Sequence, residues 1–211
     1  MNLKELVEHV RVYYLRDSEP PYLWPAKELK RYLNDAQRIF ARHTHCITDE
    51  VTILTASTTP SYPLDKNIIH VYEVYNDTGR RLARKNRQKL PVTTYEGKPI
   101  HYTVDAGSNY IRFGPTPDDE YEYKLLVARL PEKELEQVHD VPEIPEEYHL
   151  ALCDYIAYMA VRNNDTEASN TNAGANFRED WELKLRDAKR NSYHLRGGSN
   201  QQVVNDWVSG R

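Results

Sequence analysis

Few stretches of this chain carry side chains that could do chemistry. His43-Thr44-His45-Cys46 puts three metal-ligating side chains into four positions. Zinc needs four ligands converging tetrahedrally, and structural sites draw them from two separated pairs. Neighbours at a helix end point in different directions, and no second pair stands at finger-like spacing, so no metal is expected there. Imidazoles capping the last carbonyls of a helix account for the cluster. Asp118-Asp119-Glu120 and Glu146-Glu147 could act as paired carboxylates in hydrolysis. The first follows Gly114, Pro115 and Pro117, which form turns, and the second opens an apolar-periodic stretch, where carboxylates favour the helix dipole. No G-x-S-x-G, no phosphate loop of the G-x-x-x-x-G-K type and no G-x-G-x-x-G occurs. The chain reads as having no catalytic residue, no cofactor and no metal.

Two segments read instead as contact surfaces. Gly79 to Leu90, GRRLARKNRQKL, concentrates Arg80, Arg81, Arg84, Lys85, Arg87 and Lys89 in a chain whose formal net charge is -4. Such a run suits phosphates or an acidic partner surface. No aromatic residue interleaves it, so base stacking is not supported. A solvated hairpin tip that keeps a sheet edge soluble has the same composition. The second segment, Gly198 to Arg211, is polar yet holds Val203, Val204, Trp207 and Val208 at helical spacing. That pattern fits a short motif folding on a partner. The alternative is a terminus that packs back on its own domain.

The elements that must position these segments are legible from periodicity. Leu29, Leu33, Ala36, Phe40 and His43 recur at steps of four and three between Trp24 and His43, widened by Tyr32 and Ile39. This is the apolar face of an amphipathic helix, with Pro25 just inside its start and Arg31, Asn34, Asp35, Arg38 and Arg42 outside the stripe. Asn2 to Leu15 reads as a preceding helix, with Leu3, Leu6, Val7, Val10, Tyr13 and Tyr14 inward and Lys4, Glu5, Glu8 and Arg11 opposite. Asp17 to Pro21 ends it, because paired prolines cannot continue a helix. Pro145 to Asn164 and Ala173 to Leu195 supply two more helices, closed by Gly197-Gly198-Ser199.

Between the two helical pairs the period shortens. Val51–Thr55, Ile68–Tyr75, Ile100–Val104, Tyr110–Phe113 and Tyr121–Leu130 are short, β-branched or aromatic, and separated by turn residues. In Ile68–Tyr75, strict alternation leaves both faces mostly apolar, so both are expected to be covered. The fold class is therefore α+β: an antiparallel bundle of about four helices with an inserted small antiparallel β-sheet or sandwich and an extended C-terminal tail. Residues 1–46 and 145–196 form the bundle, 47–131 the β insertion, 132–144 an acidic linker and 197–211 the tail.

Composition narrows the class further. Hydrophobic residues make up 39% and charged residues 28%, as in a soluble globular protein, and no apolar run approaches the ~20 residues that span a bilayer. Two cysteines are too few for a disulfide scaffold, so an intracellular compartment is expected and no membrane partner. Tyrosine outnumbers phenylalanine 16 to 3, which fits either a thin core with much half-buried surface or faces covered only by other subunits.

Taken in order, the phrases LKELVEHVRVYYLRD, WPAKELKRYLNDAQRIFARHT, YPLDKNIIHVYEV, IRFGPTPDDEYEYKL and IPEEYHLALCDYIAYMAV resemble the head-to-tail connector adaptors of tailed bacteriophages, including the tail-tubular adaptors of short-tailed phages. The likeness runs from Met1 to Leu195. It implies a structural virion protein made in the host cytoplasm and placed at the neck. It also implies a homo-oligomeric ring, typically a dodecamer, between the portal and the tail or nozzle proteins. The ring would surround passing DNA and touch it non-specifically. On the same resemblance Val203, Val204, Trp207 and Val208 would dock on the portal, and Arg80 to Lys89 would meet a neighbouring subunit or tail protein. Another neck or tail-completion protein, or a nucleic-acid-binding regulator using residues 80–89, remains as an alternative.

Overall fold

A computed structural model describes residues 1–86, 95–105, 109–163 and 171–195, without the side chains of 171–173 and 194–195. The described chain is α+β and divides into two compact units: Met1–Cys46 with Lys133 onward, and Ile47–Glu132.

The helical unit begins with α1 (Leu3–His9), whose start is a capping box. The Asn2 side chain accepts from the Glu5 amide at 2.9 Å and the Glu5 carboxylate accepts from the Asn2 amide at 3.0 Å. The expected single helix then widens to a π-helix over Val10–Leu15. The change of pitch alters which side chains turn inward. Leu6, Val10 and Leu15 are buried at steps of four and five. Arg11, expected on the solvent face, is buried, and Tyr13, expected inside, is 72% exposed.

α2 (Ala26–Thr44) starts with Pro25 at the cap position and ends at His45, which takes a left-handed φ of 54°. Leu29, Tyr32, Leu33, Ala36 and Phe40 are buried as the stripe requires. Two positions depart from it. His43 is exposed and Thr44 is buried in its place, its hydroxyl donating to the Phe40 carbonyl at 2.8 Å. Asn34 is buried, because its side chain donates to the Leu135 carbonyl at 3.1 Å and accepts from the Leu135 amide at 2.8 Å. That pair of bonds holds a stretch without helix or strand against the bundle. Its backbone also accepts from α1, with the Leu3 amide on Asp140 and the Lys4 amide on Val138.

The hub of this unit is α3 (His149–Asn163), entered through a 3-10 turn at Glu146–Tyr148. It packs against α2, against α4 (Thr171–Leu195) and against the π-helical turn. His149, Ala151, Leu152, Cys153, Asp154, Ile156, Ala157 and Ala160 are all buried, so most of its circumference is covered. A helix covered over most of its circumference shows little amphipathic pattern. Phe40, Tyr148, Tyr155 and Trp181 close the core with ring centroids 5.1–5.6 Å apart in successive pairs.

The β unit is two sheets sharing one core. β1 (Thr48–Leu54), β3 (Ile68–Asn76) and β7 (Glu122–Arg129) pair antiparallel in the order β1-β7-β3. β2 (Ser61–Pro63), β4 (Ala83–Arg84), β5 (His101–Asp105) and β6 (Tyr110–Gly114) form the second sheet in the order β2-β6-β5-β4. The short β4 joins β5 in parallel, so this sheet is mixed rather than wholly antiparallel. A parallel neighbour needs a long crossover, and residues 85–100 separate the two strands. Val71, Val74, Tyr102, Ile111, Phe113, Tyr123, Leu125 and Val127 fill the space between the sheets, with Phe113 stacked on Tyr123 at 4.6 Å.

β3 does not alternate as its sequence suggests. Ile68, Val71 and Val74 are buried at steps of three, and register shifts fall between Ile68 and His70 and between Val71 and Glu73. Each bulge inserts one residue without a partner and moves the next core position by one. Only one face is therefore fully covered.

Candidate functional site

The metal-ligand cluster is a helix end. Among the described residues no three His, Cys, Asp or Glu side chains gather where an ion could sit. The His45 amide closes α2 on the Ala41 carbonyl at 2.8 Å, and the Cys46 amide donates to the Thr44 hydroxyl at 3.3 Å. Asp118 accepts from the Tyr121 hydroxyl at 2.8 Å within its turn, and Glu146 pairs with the Met1 amino group at 3.4 Å.

The basic run starts at the end of β3. Asn76 accepts from the amides of Thr78 and Arg80, and Gly79 takes a φ of 75°, which favours glycine. Arg81 pairs with Glu73 at 2.8 Å, and Glu73 also accepts from the Tyr75 hydroxyl. Arg84 lies on β4, the edge strand of its sheet, and the Lys85 amide donates to the Tyr102 carbonyl at 2.8 Å. Arg80, Arg84 and Lys85 are exposed. Charged side chains on a short edge strand oppose edge-to-edge pairing, so solubility explains part of this run. Arg87 and Lys89 lie outside the described residues, as do Val203, Val204, Trp207 and Val208.

The helical unit contributes a surface that the sequence reading did not anticipate. The π-helical turn brings the Arg11 guanidinium onto Asp17 at 2.5 Å, with the two side chains 8% and 7% exposed. Asp17 also accepts from the Leu23 amide at 2.9 Å and the Trp24 amide at 3.3 Å. Arg11 donates its other terminal nitrogen to the Trp24 carbonyl at 2.5 Å and stacks 4.1 Å from the Tyr22 ring centroid. This clasp fixes the connection between α1 and α2. Beside it runs a groove of about 530 Å³ with Leu3, Val7, Pro25, Ala26 and Val138 among its apolar walls and Lys4, Lys27 and Lys30 on its rim. Val12, Tyr13, Tyr22 and Leu23, from the same turn and connection, are 47–72% exposed. The available signals were an arginine following an apolar helical turn and an aspartate just before Pro20-Pro21.

A second polar cluster lies among the helices. Asp154, almost fully buried, accepts from Lys184 at 2.5 Å and is hydrogen-bonded to Tyr14. Burial raises its carboxyl above the usual range, although Lys184 and Tyr14 pull the other way. Burial likewise pushes the neighbouring Cys153 thiol up to about 12, so the thiolate is suppressed. The Tyr14 hydroxyl is raised, chiefly by burial and then by the Asp154 charge. These groups join the π-helical turn, α3 and α4.

The family model of the SU10 adaptor protein matches residues 1–203. The chain belongs to the SU10 adaptor protein family. This is a family of phage structural adaptors, not an enzyme family. No curated protein matches the chain. The match covers both compact units and reaches Val203, whereas Val204, Trp207 and Val208 fall beyond it. Among the described residues of this adaptor, no helix is long and apolar enough to cross a membrane.

Proposed function

We propose that this adaptor is a virion component that joins the phage head to its tail. Copies of the chain form a ring, typically of twelve, seated on the portal and followed by the tail or nozzle proteins. DNA passes through the opening with weak, non-specific contact, which suits a chain of net charge -4. The observation that carries this reading is the family match across residues 1–203. Exposed Val12, Tyr13, Tyr22 and Leu23 support it, since large apolar side chains clustered along one connection fit a surface covered by another subunit. Arg80, Arg84 and Lys85 present exposed charge at a sheet edge for a neighbouring subunit or tail protein. The residues from Val203 to Val208 dock on the portal.

Mixing the full chain with portal rings from the same genome and weighing the complex by native mass spectrometry tests this. A multi-copy complex is expected, and it should be lost when Val203, Val204, Trp207 and Val208 are replaced by serine. A complex that survives the replacement moves the portal contact to the helical unit. No complex at low or moderate salt refutes the adaptor position at the portal. Steeply salt-dependent DNA binding in its place would favour a nucleic-acid-binding role for residues 80–89.

A further inference from the structure

The groove beside the Arg11–Asp17 clasp is open, apolar along its walls and large enough for several side chains. What can occupy it follows from where the described chain stops. Asn191, near the end of α4, donates to the Tyr148 hydroxyl at 3.3 Å. His149, the next residue after Tyr148, lies 3.0 Å from the Met1 amino group. Leu3 and Lys4, two and three residues on from Met1, line the groove. The chain therefore leaves α4 at the end of the bundle where the groove begins. Eight residues carry it from Leu195 to Val203, a reach of up to roughly 26–29 Å when extended.

Residues 203–208 have the composition such a groove selects. Val203, Val204, Trp207 and Val208 fall at i, i+1, i+4 and i+5, one side of a helical turn. Short apolar segments of this spacing bind between two helices, and tryptophan is among the commonest anchors. Asp206 sits between the anchors, and the groove carries Lys4, Lys27 and Lys30 against Glu8 and Glu136. We propose that in the unassembled adaptor this groove holds the chain's own C-terminal segment, with Trp207 as the anchor. A short tether gives an effective concentration on the order of millimolar. An intrinsic affinity of about 0.1 mM then keeps the groove occupied roughly ten times out of eleven.

The consequence for assembly rests on the adaptor reading, whereas the docking itself does not. The same residues are offered to the portal, so groove and portal compete for them. Free chains keep Trp207 and its neighbouring valines covered, and the portal releases them.

The test needs no portal, so its failure and that of the adaptor role are distinguishable. The full chain is labelled with 5-fluorotryptophan, and the Trp207 resonance is assigned with Trp207→Phe. Its resonance is expected away from the free-indole position and returned to it by Ala26→Arg and by Val138→Arg, substitutions at two exposed positions that line the groove. The Trp181 resonance reports that the bundle is intact and should stay in place. A peptide of residues 199–211 should bind Trp207→Ala about tenfold more tightly than the wild-type chain, whose groove is already filled. A free-position Trp207 resonance in the wild type, or one insensitive to both groove variants, overturns the proposal. So do equal peptide affinities. A displaced resonance that returns to the free position on dilution also overturns it, because the occupant is then a second copy.

Discussion

Replacing Asp17 by Ala should be among the most damaging single changes in the helical unit. The aspartate and Arg11 are 7% and 8% exposed, and among the described residues the Arg11 guanidinium pairs with the Asp17 carboxylate. Removing it leaves a buried cation with the Trp24 carbonyl and the Tyr22 ring face. An uncompensated buried charge costs about 3–5 kcal/mol. The amides of Leu23 and Trp24 also lose their acceptor, but both bonds are only part-buried and water replaces much of them. The expected loss therefore stays near 3–5 kcal/mol, a fall in Tm of about 6–20 °C for a chain of this size. Tryptophan fluorescence in a Trp207→Phe background reads this unit alone, because Trp24 and Trp181 belong to it and residues 47–132 contain no tryptophan. Urea unfolding should also show that Arg11→Met with Asp17→Ala is less destabilised than Asp17→Ala alone, since the orphaned charge has gone. A loss below about 1 kcal/mol for Asp17→Ala, or a double variant equal to the sum of the singles, would refute the view that the clasp is a desolvated, coupled pair.

Two further outcomes follow from the buried groups of α3. The Asp154 carboxyl is raised in the folded state, so its contribution to stability is full below the unfolded pKa and is lost as pH rises through the folded one. The urea midpoint of the wild type relative to Asp154→Asn should therefore climb as pH falls from about 7 to about 4, and a falling difference would mean that the Lys184 pairing outweighs burial. Cys153 is buried with its thiol near 12 and Cys46 is only half-buried, so a thiol reagent at about pH 8 should modify one cysteine in the folded chain and two in urea.

The elements were legible because their apolar periods are long and their breakers strong: Pro20-Pro21, Asn76 to Gly79, and Gly114 to Pro117 all stand at or near an element end. What stayed hidden depended on partners distant in sequence. Asn34 reads as a solvent-facing residue until Leu135 comes against it. The burial of Arg11 requires a π-helical pitch, which local composition does not signal, together with an acid six residues later. In β3 two bulges replace a period of two with a period of three, and bulges depend on the pairing strand. The amphipathic α2 looked like the organiser, whereas the enclosed α3 holds that place and shows no strong stripe for that very reason. The groove was invisible because it is a property of two helices and a loop together, and residues 196–211 remain outside the described structure.

Three polar contacts inside the helical unit, Arg11 with Asp17, Asp154 with Lys184 and Asn34 with the Leu135 backbone, are weak arguments for stability. Well-packed apolar residues often hold a core as well or better. Each, however, ties together segments that apolar packing alone could shift by a turn. Arg11 and Asp17 fix the path from α1 to α2; Asp154 and Lys184 fix α4 on α3; Asn34 fixes the loop that forms one wall of the groove. For an enzyme, such precision would be spent around reacting atoms. A structural adaptor works through the shape it presents, and here the buried polar pairs hold the groove and the exposed α1–α2 connection in one arrangement. On that argument, apolar replacement of a pair such as Asp154 and Lys184 should preserve folding while loosening partner contact, the opposite of what a purely stabilising role requires.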